Sequence, residues 1–409
     1  MKIGCVGIGQ AGLNLAIEFS QLFPSIIIDT AQQNLNSIKN ENIEKFHIKI
    51  NEWGGAGKDA LLGQQAIRGY KKDLTDLIKT NLSNLDYIWV TAGLGGGTGT
   101  LGCCQVSNIL HNLNIPHGLL ATIPDVAHEG TDETTNCVLG LKAIENARQQ
   151  MKNLRSIIYI ENAKLKEYVL THYDNSSYEN LWSIANKYVF EMFNNLFYYS
   201  QQESQYSFDG QDYIRLFLKS GYMYFGKKTI TNIEEITAKN SLGNVVRDIW
   251  QDNIFIDGLE IEKAKGAAVI VNRPKSFDQD GKVINQLFNQ VKNAIGSGTY
   301  AFGVYKGVKN KTLINKTIKK IKNEDNNSLE IFTLLSGMPF PKKRANQLKG
   351  LYQKDIDNYN KKDKEEDFNI DIGEVQSYVK EYQSEENEEI DFDPFKEKNN
   401  KNNSLEWDF

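Results

Sequence analysis

Eight residues, Gly93-Leu94-Gly95-Gly96-Gly97-Thr98-Gly99-Thr100, constrain this chain more than any other stretch. Five glycines and two threonines let the backbone bend tightly and turn several N–H groups into one concavity. An apolar run, Tyr87–Thr91, precedes them, and Cys103–Leu110 follows with a helical pattern. A flexible linker has no reason to be wedged between a buried strand and a helix. A backbone nest backed by a helix N-terminus suits a di- or triphosphate.

The rest of the chain alternates in the same style. Lys2–Gly7, Ser25–Asp29, Tyr87–Thr91, His117–Ile123 and Ile157–Ile160 read as short buried strands with helical segments, such as Gly12–Leu22, between them. That alternation predicts an α/β fold with a parallel sheet covered on both faces. Ligands of such sheets bind at the carboxyl ends of the strands, where the glycine loops fall. From Leu181 to Phe197 apolar residues recur at Leu181, Ala185, Tyr188, Val189, Met192, Phe193 and Leu196, which marks one long helix with a wide buried face. Gly266–Val271, Val283–Ile295, Thr299–Tyr305 and Ile331–Ser336 read as strand, helix, strand, strand, a smaller α/β unit, and Gln347–Asp367 as a charged helix. The expected domains are a nucleotide-binding unit at 1–175, a central helix at 176–203, a second unit at 204–346, a helix at 347–367 and a disordered acidic tail at 368–409.

Charge separates the tail from the body. Residues 350–409 hold 8 Lys and 18 Asp plus Glu, a net of −10, whereas the whole chain is −5 and residues 1–349 therefore +5. Such a segment cannot bury enough apolar surface to fold alone. Its patches Ile390–Phe395 and Ser404–Phe409, bulky apolar residues among acids, suit docking on a partner. Lys306–Lys349 carries 11 Lys and Arg against 3 acids, read as a solvated or contact-making surface, so direct DNA binding is not expected. No apolar stretch is long enough for a membrane span. The N-terminus runs straight into a strand pattern, so a cytoplasmic protein without a signal peptide is expected. Cys5, Cys103, Cys104 and Cys137 lack zinc-site spacing and read as small core residues in a reducing compartment; no protein metal site is expected.

Gly7-Ile8-Gly9-Gln10-Ala11-Gly12, with Asp29 beyond it, fits a dinucleotide-binding fingerprint, and an NAD-dependent oxidoreductase is one reading. Such an enzyme has no use for a second phosphate loop at Gly93–Thr100 or a third glycine turn at Gly54-Gly55-Ala56-Gly57. Three such loops suit a nucleoside triphosphate. Lys58 is followed by Asp59, not Ser or Thr, so this is no Walker loop.

Gly93–Thr100 resembles the G-G-G-T-G-[TS] signature of the tubulin/FtsZ superfamily, and Gly9–Asn14 its first nucleotide loop; the resemblance covers roughly residues 1–350. Trp89–Thr100, Ile160–Leu165 and Ser336–Arg344 are most similar to the plasmid- and phage-borne TubZ branch. The resemblance implies a GTP/GDP site with Mg²⁺. Gly9, Gln10 and Ala11 would meet the α- and β-phosphates, with Gln10 near the Mg²⁺ shell, and Asn14 would face ribose and base. Ala56, Gly57 and Lys58 would sense the γ-phosphate. Gly95, Gly96, Gly97, Thr98 and Gly99 would wrap the phosphates, the Thr98 hydroxyl adding a donor. Pro124 and Glu129 would contact the ribose; a few residues on, where FtsZ has Arg, stands Glu133. Asn162 and Asn186 match the two base-reading asparagines, which offer guanine a donor and an acceptor.

Hydrolysis needs a group that orients or deprotonates water. Ser207–Asp212 resembles the family's N-x-D-x-x-D loop, with Ser207 in place of Asn, and implies that Asp209 and Asp212 act on the GTP of the next subunit. A head-to-tail contact that does not close makes a filament. The expected protein is therefore a GTPase that assembles with itself and treadmills to segregate plasmid or phage DNA. A DNA-bound, TubR-like adaptor is expected on the C-terminal helix or tail, and no membrane partner. A division or phage-positioning filament is the alternative.

Overall fold

A computed structural model describes residues 2–40, 42–50, 54–125, 127–173, 180–204, 206–236, 241–278, 281–308 and 328–365. In chain order the elements are β1 (Ile3–Ile8), α1 (Gly9–Phe19), β2 (Ser25–Asp29), α2 (Gln32–Asn36), β3 (Glu44–His47), α3 (Ala60–Gly69), α4 (Lys71–Leu82), β4 (Tyr87–Gly93) and α5 (Gly97–Asn112). There follow β5 (His117–Ile123), α6 (Thr131–Gln150), β6 (Leu154–Glu161), α7 (Asn162–His172), α8 (Leu181–Tyr199) and α9 (Gly210–Phe217). The remainder is β7 (Gly221–Ile230), α10 (Leu242–Gln251), β8 (Gly266–Arg273), α11 (Lys282–Ile295), β9 (Thr299–Lys306), β10 (Leu329–Met338) and α12 (Lys342–Glu365). The expected tail and the Asn175 boundary lie outside the described residues.

The described strands form one sheet in the order β3-β2-β1-β4-β5-β6-β7-β10-β8-β9. From β3 to β6 every pairing is parallel. Helices cover both faces of that half, so β1, β2 and β5 are buried at every position and β4 at all but its last. Only Ser156–Gly221 and Ile157–Tyr222 pair β6 with β7. Beyond this narrow join β10 runs antiparallel to β7 and β8, and β8 runs parallel to β9. The strands of the smaller unit thus extend the same sheet.

α8 packs against α1, α7, α9 and β7, and all seven apolar positions that mark it in the sequence are buried. Phe193 is the hub: its ring lies 5.0 Å from that of Phe19, 5.2 Å from Trp89 and 4.6 Å from Phe225. One side chain thereby joins α1, β4 and β7, and its burial contributes about 2–3 kcal/mol. All four cysteines are free and buried, as core residues, and burial pushes the Cys5 thiol up to about 12. Among the described residues no helix is long and apolar enough to cross a membrane.

Three helix boundaries differ from expectation. The helix expected at Gly12–Leu22 runs from Gly9 to Phe19, because the glycine loop itself forms its first turn. The helix expected at Cys103 begins at Gly97, because Gly97–Thr100 form its first turn and small residues carry no apolar periodicity. α12 begins at Lys342 instead of Gln347, directly after Pro341.

Candidate functional site

The carboxyl ends of β1, β2, β4, β5 and β6 open into one cavity of about 440 Å³. Ile8, Asp29, Gly93 and Thr122 reach it from the strands, and Asn162 from the first position of α7. The glycine loop packs here at backbone contact distance. A Cβ on Gly99 would lie 2.9 Å from the Gly93 carbonyl oxygen and 3.0 Å from that of Ile8. Only glycine lets α5 start so close to β1 and β4.

Of the residues expected from the sequence, Gly9, Gln10, Ala11, Ala56, Gly57, Lys58, Gly95, Gly96, Gly97, Thr98, Gly99, Pro124, Glu129 and Asn162 all line this cavity. Asn14 and Asn186 do not. Asn14 is exposed on α1, one turn beyond Gln10, and Asn186 is half-buried on α8, which packs against α1. The Thr98 hydroxyl is directed inward, 2.7 Å from the Thr30 hydroxyl and 3.3 Å from Asp29 Oδ1. The Thr98 hydroxyl is thus engaged by β2 and the residue after it.

Asp29, which its spacing from the first glycine loop flags only on the dinucleotide reading, is a hub of this site. Its carboxylate accepts from the backbone N–H of Thr30 at 2.7 Å and of Ala31 at 3.2 Å, from Asn34 Nδ2 at 2.7 Å and from Thr98. It ties the end of β2 to the first turn of α5. Glu133 is the second addition. Its carboxylate pairs with the Lys58 ammonium, and Asn136 Nδ2 donates to the Lys58 carbonyl at 2.7 Å and to that of Gly95 at 3.2 Å. Burial pushes the Glu133 carboxyl up, but Lys58 and nearby backbone amides hold it below the usual glutamate range. The hydrogen bond to Glu133 holds the Lys58 ammonium above the usual lysine range. Neither contact is visible along the chain, because each joins residues far apart in sequence.

Glu129 is braced within its own loop, accepting from the Asp125 N–H at 2.8 Å, and burial raises its pKa. Asp125 in turn meets His128 and Lys166; burial pushes its carboxyl up, but those two partners hold it below the ordinary aspartate range.

Asp209 and Asp212 lie away from this cavity. Asp209 caps α9, accepting from the N–H of Gln211 at 2.8 Å and of Asp212 at 2.9 Å. Behind the cap, buried Phe208 donates its N–H to Tyr305 Oη, which itself donates to the Tyr199 carbonyl at the end of α8. At the other end of α9, Phe217 meets the ring of Tyr87 and accepts from Ser156 Oγ at 2.7 Å. Tyr87 opens β4 and Ser156 stands near the start of β6, so α9 sits at the amino-terminal edge of the parallel strands. The cavity is on the opposite edge. Burial first, then the charge of Asp209, raises the Asp212 pKa, with Arg215 opposing.

Comparison with known proteins agrees with this architecture. Residues 2–169 match the model of the Tubulin/FtsZ family, GTPase domain. The tubulin-like protein TubZ of Bacillus cereus is 23% identical over 372 residues, covering 84% of this chain and 80% of the relative. Cell division protein FtsZ 1 of Pyrococcus furiosus is 28% identical over 170 residues, 41% of this chain and 43% of the relative. The crystal structure of a GTPγS-form protofilament of Bacillus thuringiensis serovar israelensis TubZ superposes with a TM-score of 0.71 at 18% identity, covering 90% of this chain and 94% of that one. With glycine loops gathered at the carboxyl edge of the sheet, residues 2–169 carry the GTPase domain of the Tubulin/FtsZ family.

Proposed function

We propose that this protein is a TubZ-like filament subunit that binds GTP in the carboxyl-edge cavity and hydrolyses it against the next subunit. The observation that carries the reading is the separation of parts: the cavity on one edge of the sheet, Asp209 and Asp212 on the other. A single chain cannot bring the aspartates to its own nucleotide, whereas a head-to-tail neighbour can. The TubZ protofilament of similar fold supports such a row.

Within the cavity, backbone N–H groups of Gly9–Ala11 and Gly95–Gly99 take the phosphates, and Asn162 reads the base edge. The base extends over α1, where Asn14 and Asn186 complete its recognition. The acidic lining leaves the phosphate charge under-compensated, so a Mg²⁺ fits as counter-ion, with the exposed Gln10 amide oxygen as protein contact. When bound, the ion neutralises charge on the phosphates. From the neighbour, Asp212, its pKa raised, accepts a proton from the attacking water, while Asp209 orients it through the capped turn. The filament's work is the treadmilling segregation of plasmid or phage DNA in the cytoplasm, through a DNA-binding, TubR-like adaptor held by α12 or the residues after it.

Asp212→Ala tests the reading: GTP binding should persist, turnover should fall at least 100-fold, and electron microscopy should show filaments that do not disassemble. Turnover at the wild-type rate in that variant would remove Asp212 from the mechanism.

A further inference from the structure

Among the described residues that line the cavity, Asp29, Glu129 and Glu133 are acidic and Lys58 is the basic one. For a polyanionic ligand the position of that one ammonium matters. Lys58 has left-handed backbone, φ 68°, directly after Gly57 at φ 55°. Its carbonyl is anchored by Asn136, which also holds the Gly95 carbonyl. The backbone is thus fixed beside the glycine loop, while the side chain is 55% exposed. It is drawn to Glu133, which is 15% exposed and pressed on the loop: a Cβ on Gly95 would lie 3.3 Å from the Glu133 Cβ and Cγ.

We infer that Lys58 exchanges partners, pairing with Glu133 when no terminal phosphate is present and with the γ-phosphate when a triphosphate binds, so that Glu133 sets the preference for GTP over GDP. The inference rests on the guanine-nucleotide reading of the cavity. An ion pair with an exposed lysine shifts an equilibrium by about fivefold at most. A terminal phosphate carries more charge than one carboxylate and outcompetes it for the ammonium. After the exchange Glu133 is left without its counter-charge beside a like-charged ligand, a penalty that GDP, lacking the third phosphate, does not meet. A purely structural brace would act differently: loss of either partner would loosen the loop and weaken both nucleotides alike.

The two single variants are expected to act with opposite sign. In the full-length protein with Mg²⁺, diluted below assembly, GTP and GDP dissociation constants are compared for wild type, Glu133→Gln, Lys58→Gln and the double variant. Glu133→Gln should tighten GTP about threefold to fivefold and leave GDP within about twofold. Lys58→Gln should weaken GTP by a similar factor and spare GDP. In the double variant the gain from Glu133→Gln should vanish. A GTP-to-GDP ratio that is unmoved, or that moves in the same direction in both single variants, would overturn the exchange alone. A wild-type chain that binds neither nucleotide would overturn the guanine-nucleotide reading and the exchange together.

Discussion

Arg344 of α12 and Glu161 at the end of β6 meet as a fork, Nε to Oε1 at 2.9 Å and Nη2 to Oε2 at 2.7 Å, across 183 residues of chain. Glu161 is 2% exposed and immediately precedes Asn162 of the cavity. Its own N–H donates to the Phe255 carbonyl at 2.8 Å, and Lys164, one turn on, pairs with Asp257. The first turn of α7 is therefore held from three points in the carboxyl-terminal half of the chain.

Breaking that fork should be costly. Burial already raises the Glu161 pKa against the pull of Arg344. Arg344→Met leaves the carboxylate buried and unpaired, and urea unfolding should show a loss of about 3 kcal/mol. The double variant Arg344→Met with Glu161→Leu should recover most of it, since neither charge then remains to be solvated. A double variant as unstable as the single one would show that the loss comes from packing of the arginine stem.

His117 gives the protein an acid-sensitive point. The residue is fully buried at the start of β5, its Nδ1 2.9 Å from the Ile115 carbonyl, and burial pushes its pKa down to about 4 from 6.5. The folded state resists protonation that the unfolded chain accepts, so the contribution is whole above pH 6.5 and lost as pH falls towards 4. The shift corresponds to about 3 kcal/mol at the acid end. Unfolding curves between pH 7 and 4 should be shallower in pH dependence for His117→Leu than for wild type by about that amount.

Asp209 should show two separable roles. As N-cap of α9 its replacement by Ala should cost about 1 kcal/mol, while Asp209→Asn should keep nearly all the stability. Both replacements remove the carboxylate and should slow GTP turnover. Thermal unfolding and turnover measured side by side would separate the two; equal stability of the Ala and Asn variants would argue against the cap.

Gly63 lies outside every glycine motif yet touches the loop that matters most. A Cβ there would stand 2.3 Å from the Gly97 carbonyl oxygen, with backbone and not a movable side chain in the way. Gly63→Ala should cost about 2 kcal/mol and weaken GTP binding by displacing the first turn of α5. An unchanged melting temperature together with unchanged affinity would show that α3 can simply step back.

What the sequence reveals follows from where each signal resides. β1, β2, β4 and β5 are continuous apolar runs because both their faces are covered, and they stand where such runs predict them. β3, Glu-Lys-Phe-His, is an edge strand without apolar runs, and in β7 the short run Tyr222–Phe225 gives way to Gly226, Lys227 and Lys228 before Ile230, so neither stands out. The site divides in the same way. Its glycine loops are local patterns, legible along the chain, whereas Asn162 stands out only through the family resemblance. Asp29 as a tether of Thr98, and Glu133 as the partner of Lys58, are relations between loops that approach only once the sheet has formed.

The placement of cavity and aspartates on opposite edges has a stoichiometric consequence. On the proposed reading, a row of N subunits contains N − 1 junctions and hence N − 1 complete sites. One tip ends in a cavity without a neighbour's aspartates, the other in aspartates without a nucleotide to act on. The two tips are chemically unlike even though every subunit is the same molecule. A free subunit, having no junction, is a store of unspent triphosphate, and the share of nucleotide open to hydrolysis rises with length.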